Sequence, residues 1–209
     1  STLGYYETFG RNWERAALLR ARPVAGDLGV GTKMLEELTP FVYRRTVDPS
    51  MAIEMIDMVR RNRAERSNAG ALDLNLGVGG IREAEFFVQS LQLIWGGRDP
   101  AVRSTNTLEG ARRLRMRGYV TERELRQIRD AYLLLRRAEH RVQLSSGIQT
   151  HQLPAPGADR ERLARTMGYS GSLELMVAID RARARVSARL LSLAPSSGEP
   201  SKEAVDSVL

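Results

Sequence analysis

Cysteine is absent from the 209 residues, and the only histidines are His140 and His151. The missing thiols exclude disulfides, a cysteine nucleophile and cysteine-ligated metal. Two histidines do not complete a conventional zinc site by themselves. No apolar run approaches the roughly 20 residues that a membrane span needs, and the opening residues do not have the pattern of a signal peptide. We therefore expect a cytoplasmic protein that neither spans nor binds a membrane.

Lysine is almost absent as well, since Lys33 and Lys202 are the only ones. The net charge is +7, and nearly all of the positive charge comes from arginine. Guanidinium groups suit phosphate and carboxylate, which favours an acidic partner such as a nucleotide. The alternative is that the arginines lie on solvated helix faces and pair with the 25 acidic residues. Aromatic residues make up only 6% and are not interleaved with the arginines, so we do not expect nucleic acid as a partner.

Apolar residues recur at spacings of three and four over most of the chain, which predicts helices. The predicted helices cover residues 5–22, 32–45, 49–66, 81–95, 106–117, 122–145 and 159–166, with a last one that Ser170 or Ser172 opens. Only Leu72, Leu74 and Leu76 alternate as in a strand. The prediction is an all-α protein, an irregular bundle of six to eight helices with at most one short strand-like segment.

Three details of this pattern can be tested against a structure. In the first helix, the periodicity places Arg15 on the outer face. In the second, Pro40 is expected to kink or split the helix. In helix 122–145, Glu139 falls on the apolar stripe, where a carboxylate needs a partner. We predict a structural ion pair between Glu139 and Arg82, which would join this helix to helix 81–95; the alternative is that Glu139 is a catalytic acid.

A glycine-rich turn runs directly into helix 81–95. The candidate site residues here are Gly77, Gly79 and Gly80, followed by Arg82, Glu83 and Glu85. One interpretation is that the turn contacts a phosphate or nucleotide, with Arg82 as an anion clamp, because a helix start favours anions. The other is a tight helix start that needs glycine, with acids on its surface. The pattern is neither a Walker loop nor a dinucleotide-binding motif, and no acids stand at metal-binding spacing.

Six motifs occur in an order that resembles a known family. They are Tyr-Tyr-Glu-x-x-Gly-Arg-x-Trp-Glu-Arg at 5–15, Pro-Phe-Val-Tyr-Arg-Arg at 40–45, Leu-Gly-x-Gly-Gly-Ile-Arg-Glu-x-Glu-Phe at 76–86, Gly-Gly-Arg-Asp-Pro at 96–100, Leu-Arg-Arg-x-Glu-His-Arg-x-Gln at 135–143, and Gln-Thr-His-x-Leu-Pro at 149–154. Together they resemble the bifunctional glutamine synthetase adenylyltransferase/adenylyl-removing enzymes, and the first, adenylyl-removing half of that family more than the second.

The resemblance implies a cytosolic enzyme of nitrogen control. Such an enzyme transfers AMP from ATP to a tyrosine of glutamine synthetase, or removes it by phosphorolysis, with Mg²⁺ and under regulation by a PII-type protein. In the family, the metal-binding acids belong to a nucleotidyltransferase domain that precedes the helical domain. The resemblance therefore divides this chain into a helix leading out of a missing nucleotidyltransferase domain (1–24), a helical bundle domain (25–195), and a flexible tail or linker (196–209).

These implications give the expected function of the chain. It would be the helical part of such an enzyme, without the catalytic acids and inactive alone, with ATP and Mg²⁺ belonging to the longer protein. The glycines and the charged residues after them would support the nucleotide site without performing the chemistry. Asn75 stands where the family usually has lysine, which removes a possible phosphate contact. The alternative is a regulatory or protein-interaction module that binds glutamine synthetase or a PII-type regulator.

Overall fold

The computed structural model describes residues 2–45, 53–58, 60–61 and 72–194. In chain order its helices are α1 (Thr2–Phe9), α2 (Asn12–Leu18), α3 (Leu28–Val42), α4 (Ile81–Trp95), a short 3-10 helix (Pro100–Val102), α5 (Thr107–Met116), α6 (Glu122–Ser146), α7 (Ala158–Thr166) and α8 (Ser172–Leu191). Residues 53–58 and 60–61 are also helical. The described residues form no strand, and one isolated antiparallel bridge joins Asp73 to Gln152. The all-α prediction is confirmed.

Capping side chains mark two of the helix starts that the sequence predicts. Thr121 Oγ1 accepts the Glu124 N–H at 3.2 Å, and the Glu124 carboxylate accepts the Thr121 N–H at 2.8 Å, which forms a capping box before α6. Asn106 Oδ1 accepts the Glu109 N–H at 3.1 Å, so Asn106 caps α5. These interactions are local in sequence, which is why residue type alone predicts them.

The single N-terminal helix of the prediction is divided in the structure. The break between α1 and α2 lies at Gly10 and Arg11. A Cβ atom on Gly10 would stand 2.4 Å from the Phe41 ring, so the chain passes α3 here through a residue that has no side chain. Pro40 lies inside α3, and the helix continues through it without splitting.

Arg15 does not face solvent, contrary to its predicted place on the outer face. It is 2% exposed, and its Nε donates to the Val42 carbonyl at 3.0 Å. Its Nη1 donates to Asn12 Oδ1 at 3.2 Å. Val42 ends α3, and carbonyls at a helix C-terminus lack partners within the helix and favour a cation. The guanidinium thus supplies a bond that α3 cannot supply itself, and this bond offsets part of the cost of burying Arg15.

α4 is the central helix, since twelve of its fifteen residues are buried. It packs against α2, α5, α6 and α8. The larger of two apolar cores surrounds it, and the smaller one lies among α6, α7 and α8, with Leu74 and Ile81 contributed by the glycine turn and the start of α4. A helix buried on all sides must satisfy its own polar residues internally. That requirement applies to Glu83 and Glu85, two of the predicted site residues.

Two predicted segments lie partly or wholly outside the described residues. The helix expected at 49–66 is described only at 53–58 and 60–61, and the tail expected at 196–209 is not described. Within the described part of the chain, none of the helices combines the length and apolar character that a bilayer crossing requires.

Candidate functional site

The glycine turn is built on Asp73. Its Oδ1 accepts the N–H groups of Asn75 and Leu76, both at 2.7 Å, and its carbonyl accepts the Gly77 N–H at 3.2 Å. A short acidic side chain that bonds the backbone two and three residues onward is a common way to hold a turn. These local bonds hold the shape of the turn.

Gly79 brings this turn against α8. Its φ is +68°, and a Cβ atom placed there would stand 1.9 Å from the Arg183 carbonyl oxygen. Arg183 in turn donates from Nε to the Val78 carbonyl at 2.9 Å. Only glycine meets both requirements, a left-handed backbone and contact with a neighbouring main chain. The glycine thus serves helix packing directly.

The backbone N–H groups at the start of α4 have partners within the turn. Gly80 donates to the Gly77 carbonyl at 2.9 Å, Ile81 to the Leu74 carbonyl at 2.9 Å, and Arg82 to the Asn75 carbonyl at 3.1 Å. A helix start binds an anion through N–H groups that lack such partners. Of the two interpretations of the glycines, this geometry favours the tight helix start.

The charged side chains beyond the turn form a cluster around Glu85. Its carboxylate is shared by three arginines: Arg20 at 2.9 Å, Arg82 at 3.4 Å and Arg136 at 2.8 Å. The Glu85 side chain is only 3% exposed. A carboxylate so deeply buried needs several ionic partners to remain charged. This cluster joins α4 to α6 and to the segment that follows α2.

The pKa values in this cluster favour the charged forms. Burial by itself raises the pKa of Glu85, but the hydrogen bond from Arg20 and the charges of Arg20, Arg136 and Arg82 lower it below its ordinary value. Burial opposes the charge of Arg136 too, yet its bonds with Tyr132 and Glu139 and the charge of Glu85 raise its pKa. Glu85 and Arg136 therefore remain ionised at neutral pH.

Glu139 is paired, but not with the predicted partner. Its carboxylate accepts from Arg136 Nη1 at 2.8 Å and lies 2.5 Å from His151 Nδ1, while Arg82 pairs with Glu85. The predicted Glu139–Arg82 pair is therefore wrong. Because Arg136 bonds both Glu139 and Glu85, it still links α6 to α4, as that prediction required.

A cavity of about 690 Å³ opens beside the Glu85 cluster. Its walls come from α2, α4, Arg20 and residue 58: Trp13, Ala16, Ala17, Arg20, Met58, Arg82, Phe86 and Gln89. The Arg82 guanidinium lies 5.1 Å from the centre of the Phe86 ring, and Trp13 is 53% exposed. The cavity thus combines two cationic groups with aromatic surface, which suits a ligand that has an anionic and a flat apolar part.

Comparison with known proteins assigns the family. The sequence model of the family described as GlnD PII-uridylyltransferase matches residues 51–193, more than half of the chain. The chain belongs to this family.

Several proteins with similar sequences carry the name bifunctional glutamine synthetase adenylyltransferase/adenylyl-removing enzyme. One from Xanthobacter autotrophicus is 45% identical over 81% of this chain and 18% of its own length. One from Rhizobium meliloti is 39% identical over 90% of this chain and 20% of its own length. One from Stenotrophomonas maltophilia is 40% identical over 96% of this chain and 22% of its own length. The resemblance seen in the motifs is confirmed, and the chain spans about a fifth of the length of these relatives.

The predicted site residues of this family member lie at three places in the structure. Arg82 and Glu85 lie together in the charged cluster, and Arg82 reaches the cavity. The glycines lie in the turn against α8, and Glu83 is 4% exposed within α4, not on the surface.

Arg20, Arg136 and His151 were not among the predicted site residues. Arg136 carries a local signal, since it precedes Glu139 by three residues and can bond it on one helix face. Arg20 has no such signal, because its partner Glu85 is 65 positions away along the chain. His151 lies in the loop before α7 and bonds Glu139, a contact that the residue type alone does not indicate.

Proposed function

We propose that this chain is the helical part of a glutamine synthetase adenylyltransferase/adenylyl-removing enzyme and that it supports the nucleotide site of that enzyme. The longer protein would transfer AMP to a tyrosine of glutamine synthetase or remove it by phosphorolysis. The observation that carries the proposal is the cavity that places Arg20 and Arg82 beside the aromatic rings of Trp13 and Phe86.

The Glu85 cluster prepares this cavity for a phosphate. Arg20 and Arg82 are 35% and 47% exposed, so part of each guanidinium remains open to a ligand while Glu85 holds the other part. Side chains that are fixed before binding lose less conformational entropy when the ligand arrives. In this arrangement the phosphates would lie at the two arginines and the base against the aromatic wall.

ATP and Mg²⁺ belong to the proposed activity of the longer protein. The described residues contain no group of three or more histidine, aspartate or glutamate side chains arranged to hold a metal ion. In this proposal the Mg²⁺ ligands and the catalytic acids belong to the nucleotidyltransferase domain of the longer protein. The role of its residues is to bind and orient the nucleotide, and we expect no turnover of adenylylated glutamine synthetase by the chain alone.

Calorimetric titration of the chain with ATP tests the proposal. We expect Arg20→Gln and Arg82→Gln each to weaken ATP binding by about 5- to 20-fold, the loss of one charge-assisted contact at a partly exposed site. Arg123→Gln, which removes the same charge from an exposed position on α6, should leave the affinity unchanged. If both cavity variants bind ATP as the wild type does, the nucleotide role is refuted.

The substitution Gly79→Val is not a suitable test of nucleotide binding. Its side chain would collide with the Arg183 carbonyl, so it would disturb the packing of the turn whether or not a nucleotide binds. Substitutions of arginine in the cavity avoid this ambiguity.

The second candidate is a regulatory or protein-interaction module that binds glutamine synthetase or a PII-type regulator. The observation in its favour is the exposed aromatic surface of α1, where Tyr5 and Phe9 are 58% and 67% exposed. This candidate predicts a complex with one of those proteins that Tyr5→Ser and Phe9→Ser abolish, together with no effect of Arg82→Gln on nucleotide affinity. Analytical ultracentrifugation with each purified partner distinguishes the two candidates.

A further inference from the structure

Gln89 is a buried polar residue of the central helix α4. It is 4% exposed, and it lines the cavity of about 690 Å³ beside the Glu85 cluster, called the nucleotide cavity below. Its amide makes no hydrogen bond to any residue that the structure describes. The amide is not sealed inside the protein either, so a ligand in the cavity can reach it. Because buried amides in folded proteins normally have partners, this one calls for an explanation.

A second buried glutamine of the same helix provides a comparison. Gln92 is 1% exposed, and its Nε2 donates to the Val102 carbonyl at 2.9 Å and to the Ser104 carbonyl at 3.0 Å. These bonds attach the segment that follows α4 to the helix. Gln89 lies three residues earlier and attaches no such segment. A structural role therefore explains the burial of Gln92, whereas the open amide of Gln89 points to a ligand.

Gln89 shares one face of α4 with Arg82 and Phe86, which also line the nucleotide cavity. Residues three or four positions apart are neighbours on a helix surface. The seven positions from Arg82 to Gln89 correspond to about two turns, or about 10 Å along the axis. This face thus runs from a cation, across a ring, to a neutral amide. A nucleotide has the same order, from its charged phosphates to the polar edge of its base.

The chemistry of the Gln89 amide indicates which base it fits. Its nitrogen donates and its oxygen accepts, side by side. Adenine offers the complementary pair on both of its free edges, because its N6 amino group donates and the adjacent N7 or N1 accepts. Bidentate bonding of glutamine to adenine N6 and N7 is a common contact in nucleic-acid recognition. Guanine offers such a pair on its Watson–Crick edge only, since its O6 and N7 both accept.

We infer that Gln89 recognises the adenine base in the nucleotide cavity, accepting a hydrogen bond from N6 and donating one to the adjacent ring nitrogen. This inference rests on the proposed function, which places the phosphates at Arg20 and Arg82. A purine also covers more of the exposed Trp13 ring than a pyrimidine does. The arginines would bind the phosphates of any nucleotide, and Gln89 would make the site selective for adenine.

Calorimetric titration of the chain with ATP and with purine riboside triphosphate tests the inference. The second nucleotide differs from ATP only in lacking the N6 amino group. We expect the wild type to bind it about 3- to 15-fold more weakly than ATP, the loss expected for one hydrogen bond. Gln89→Met keeps an unbranched side chain of similar length but removes the amide, so it should bind the two nucleotides equally, within about twofold.

Gln89→Glu gives an expectation for another base. The carboxylate has no donor for N7 or N1 of adenine, but its two oxygens fit the N1–H and N2–H₂ donors of guanine. We expect the ratio of GTP affinity to ATP affinity to rise by about 5-fold or more relative to the wild type. The ratio cancels the repulsion between the new charge and the phosphates, because both nucleotides carry the same phosphates. An unchanged ratio in the folded variant would overturn the inference, and if the charge prevents folding, the Gln89→Met result decides.

Gln149→Met is the control, since it makes the same substitution at an exposed position that does not line the nucleotide cavity. It should keep the wild-type preference for ATP over purine riboside triphosphate. The inference is wrong if Gln89→Met keeps that preference too, or if the wild type binds UTP as tightly as ATP.

The arginine variants separate this inference from the proposed function. If Arg20→Gln and Arg82→Gln weaken ATP binding while Gln89→Met leaves the preference for ATP unchanged, the role of Gln89 is rejected and the proposed function stands. If neither arginine variant affects ATP binding, the proposed function is refuted, and the inference fails with it.

Discussion

Replacing Glu85 with glutamine keeps the shape of the side chain and removes the charge that three arginines share. In the wild type, Arg20 and Arg136 lie within 2.9 Å of the carboxylate and Arg82 within 3.4 Å. In the variant, these cations face one another without their common anion. The amide nitrogen also presents donors to groups that can only donate. We therefore expect Glu85→Gln to destabilise the folded state.

The size of the loss in unfolding free energy follows from the exposure of the three arginines. Removing one partner of a fully buried ion pair costs about 3–5 kcal/mol, because the remaining charge cannot reach water. Here the arginine side chains are 31–47% exposed, so each can regain part of its hydration. Arg136 also keeps Glu139, at 2.8 Å. We therefore expect Glu85→Gln to lower the free energy of unfolding by about 2–3 kcal/mol, below the fully buried case.

The pH dependence of this difference provides a second test. The folded-state pKa of Glu85 lies below the ordinary value of 4.5 because the arginine bonds and charges outweigh burial. The stabilisation by the charged form is thus complete above pH 4.5 and is lost as the pH falls through the folded-state pKa. The difference between wild type and variant should be largest at neutral pH and shrink in acid.

Urea denaturation followed by circular dichroism measures both effects. The series runs from pH 7 to well below the ordinary glutamate pKa, with Asp159→Asn as a control at an exposed position. The control should unfold at nearly the wild-type urea concentration. Equal midpoints for Glu85→Gln and wild type at pH 7 would refute the assignment of Glu85 as the charged centre. A difference that persists unchanged in acid would refute the electrostatic explanation.

Two further substitutions, each with a matched control, test the turn and the Glu139 contact. Gly79 and Gly118 have similar positive φ values, +68° and +79°, but a Cβ atom meets nothing within 4 Å at Gly118 and a backbone carbonyl at Gly79. Gly118→Ala should cost about 1 kcal/mol from strain, and Gly79→Ala about 1–3 kcal/mol more from overpacking; equal urea midpoints would contradict the docking of the turn. His151→Ala removes a partner from buried Glu139 and should cost about 1–2 kcal/mol, whereas His140→Ala at an exposed position should be neutral. Similar midpoints for the two histidine variants would contradict that contact.

The sequence predicts the features that depend on neighbours along the chain. The bounds of α4 agree with the prediction, and α6 begins where the capping box of Thr121 and Glu124 places it. The break at Gly10 was not predicted, because it depends on the ring of Phe41 from another helix. Helix periodicity alone therefore joined α1 and α2 into one helix.

Partner choice among the charged residues was not predictable in the same way. Glu139 was expected to need a cation, and it has one, but periodicity does not specify which helix supplies it. Arg82 and Arg136 were both available, and the structure pairs Glu139 with Arg136, three residues before it. Burial of Arg15 was missed for a related reason, since its partner is the free end of α3.

His151 connects the glycine turn to the charged cluster. Its carbonyl accepts the Leu74 N–H at 2.8 Å, and its side chain bonds Glu139, which bonds Arg136. The same residue therefore holds the turn and one end of the charged cluster. Arg82 is fixed from two directions, by its N–H bond to the Asn75 carbonyl and by the bond of its guanidinium to Glu85. The glycines thus influence the cavity by setting where α4 begins, while the side chains of the cluster determine what the cavity can bind.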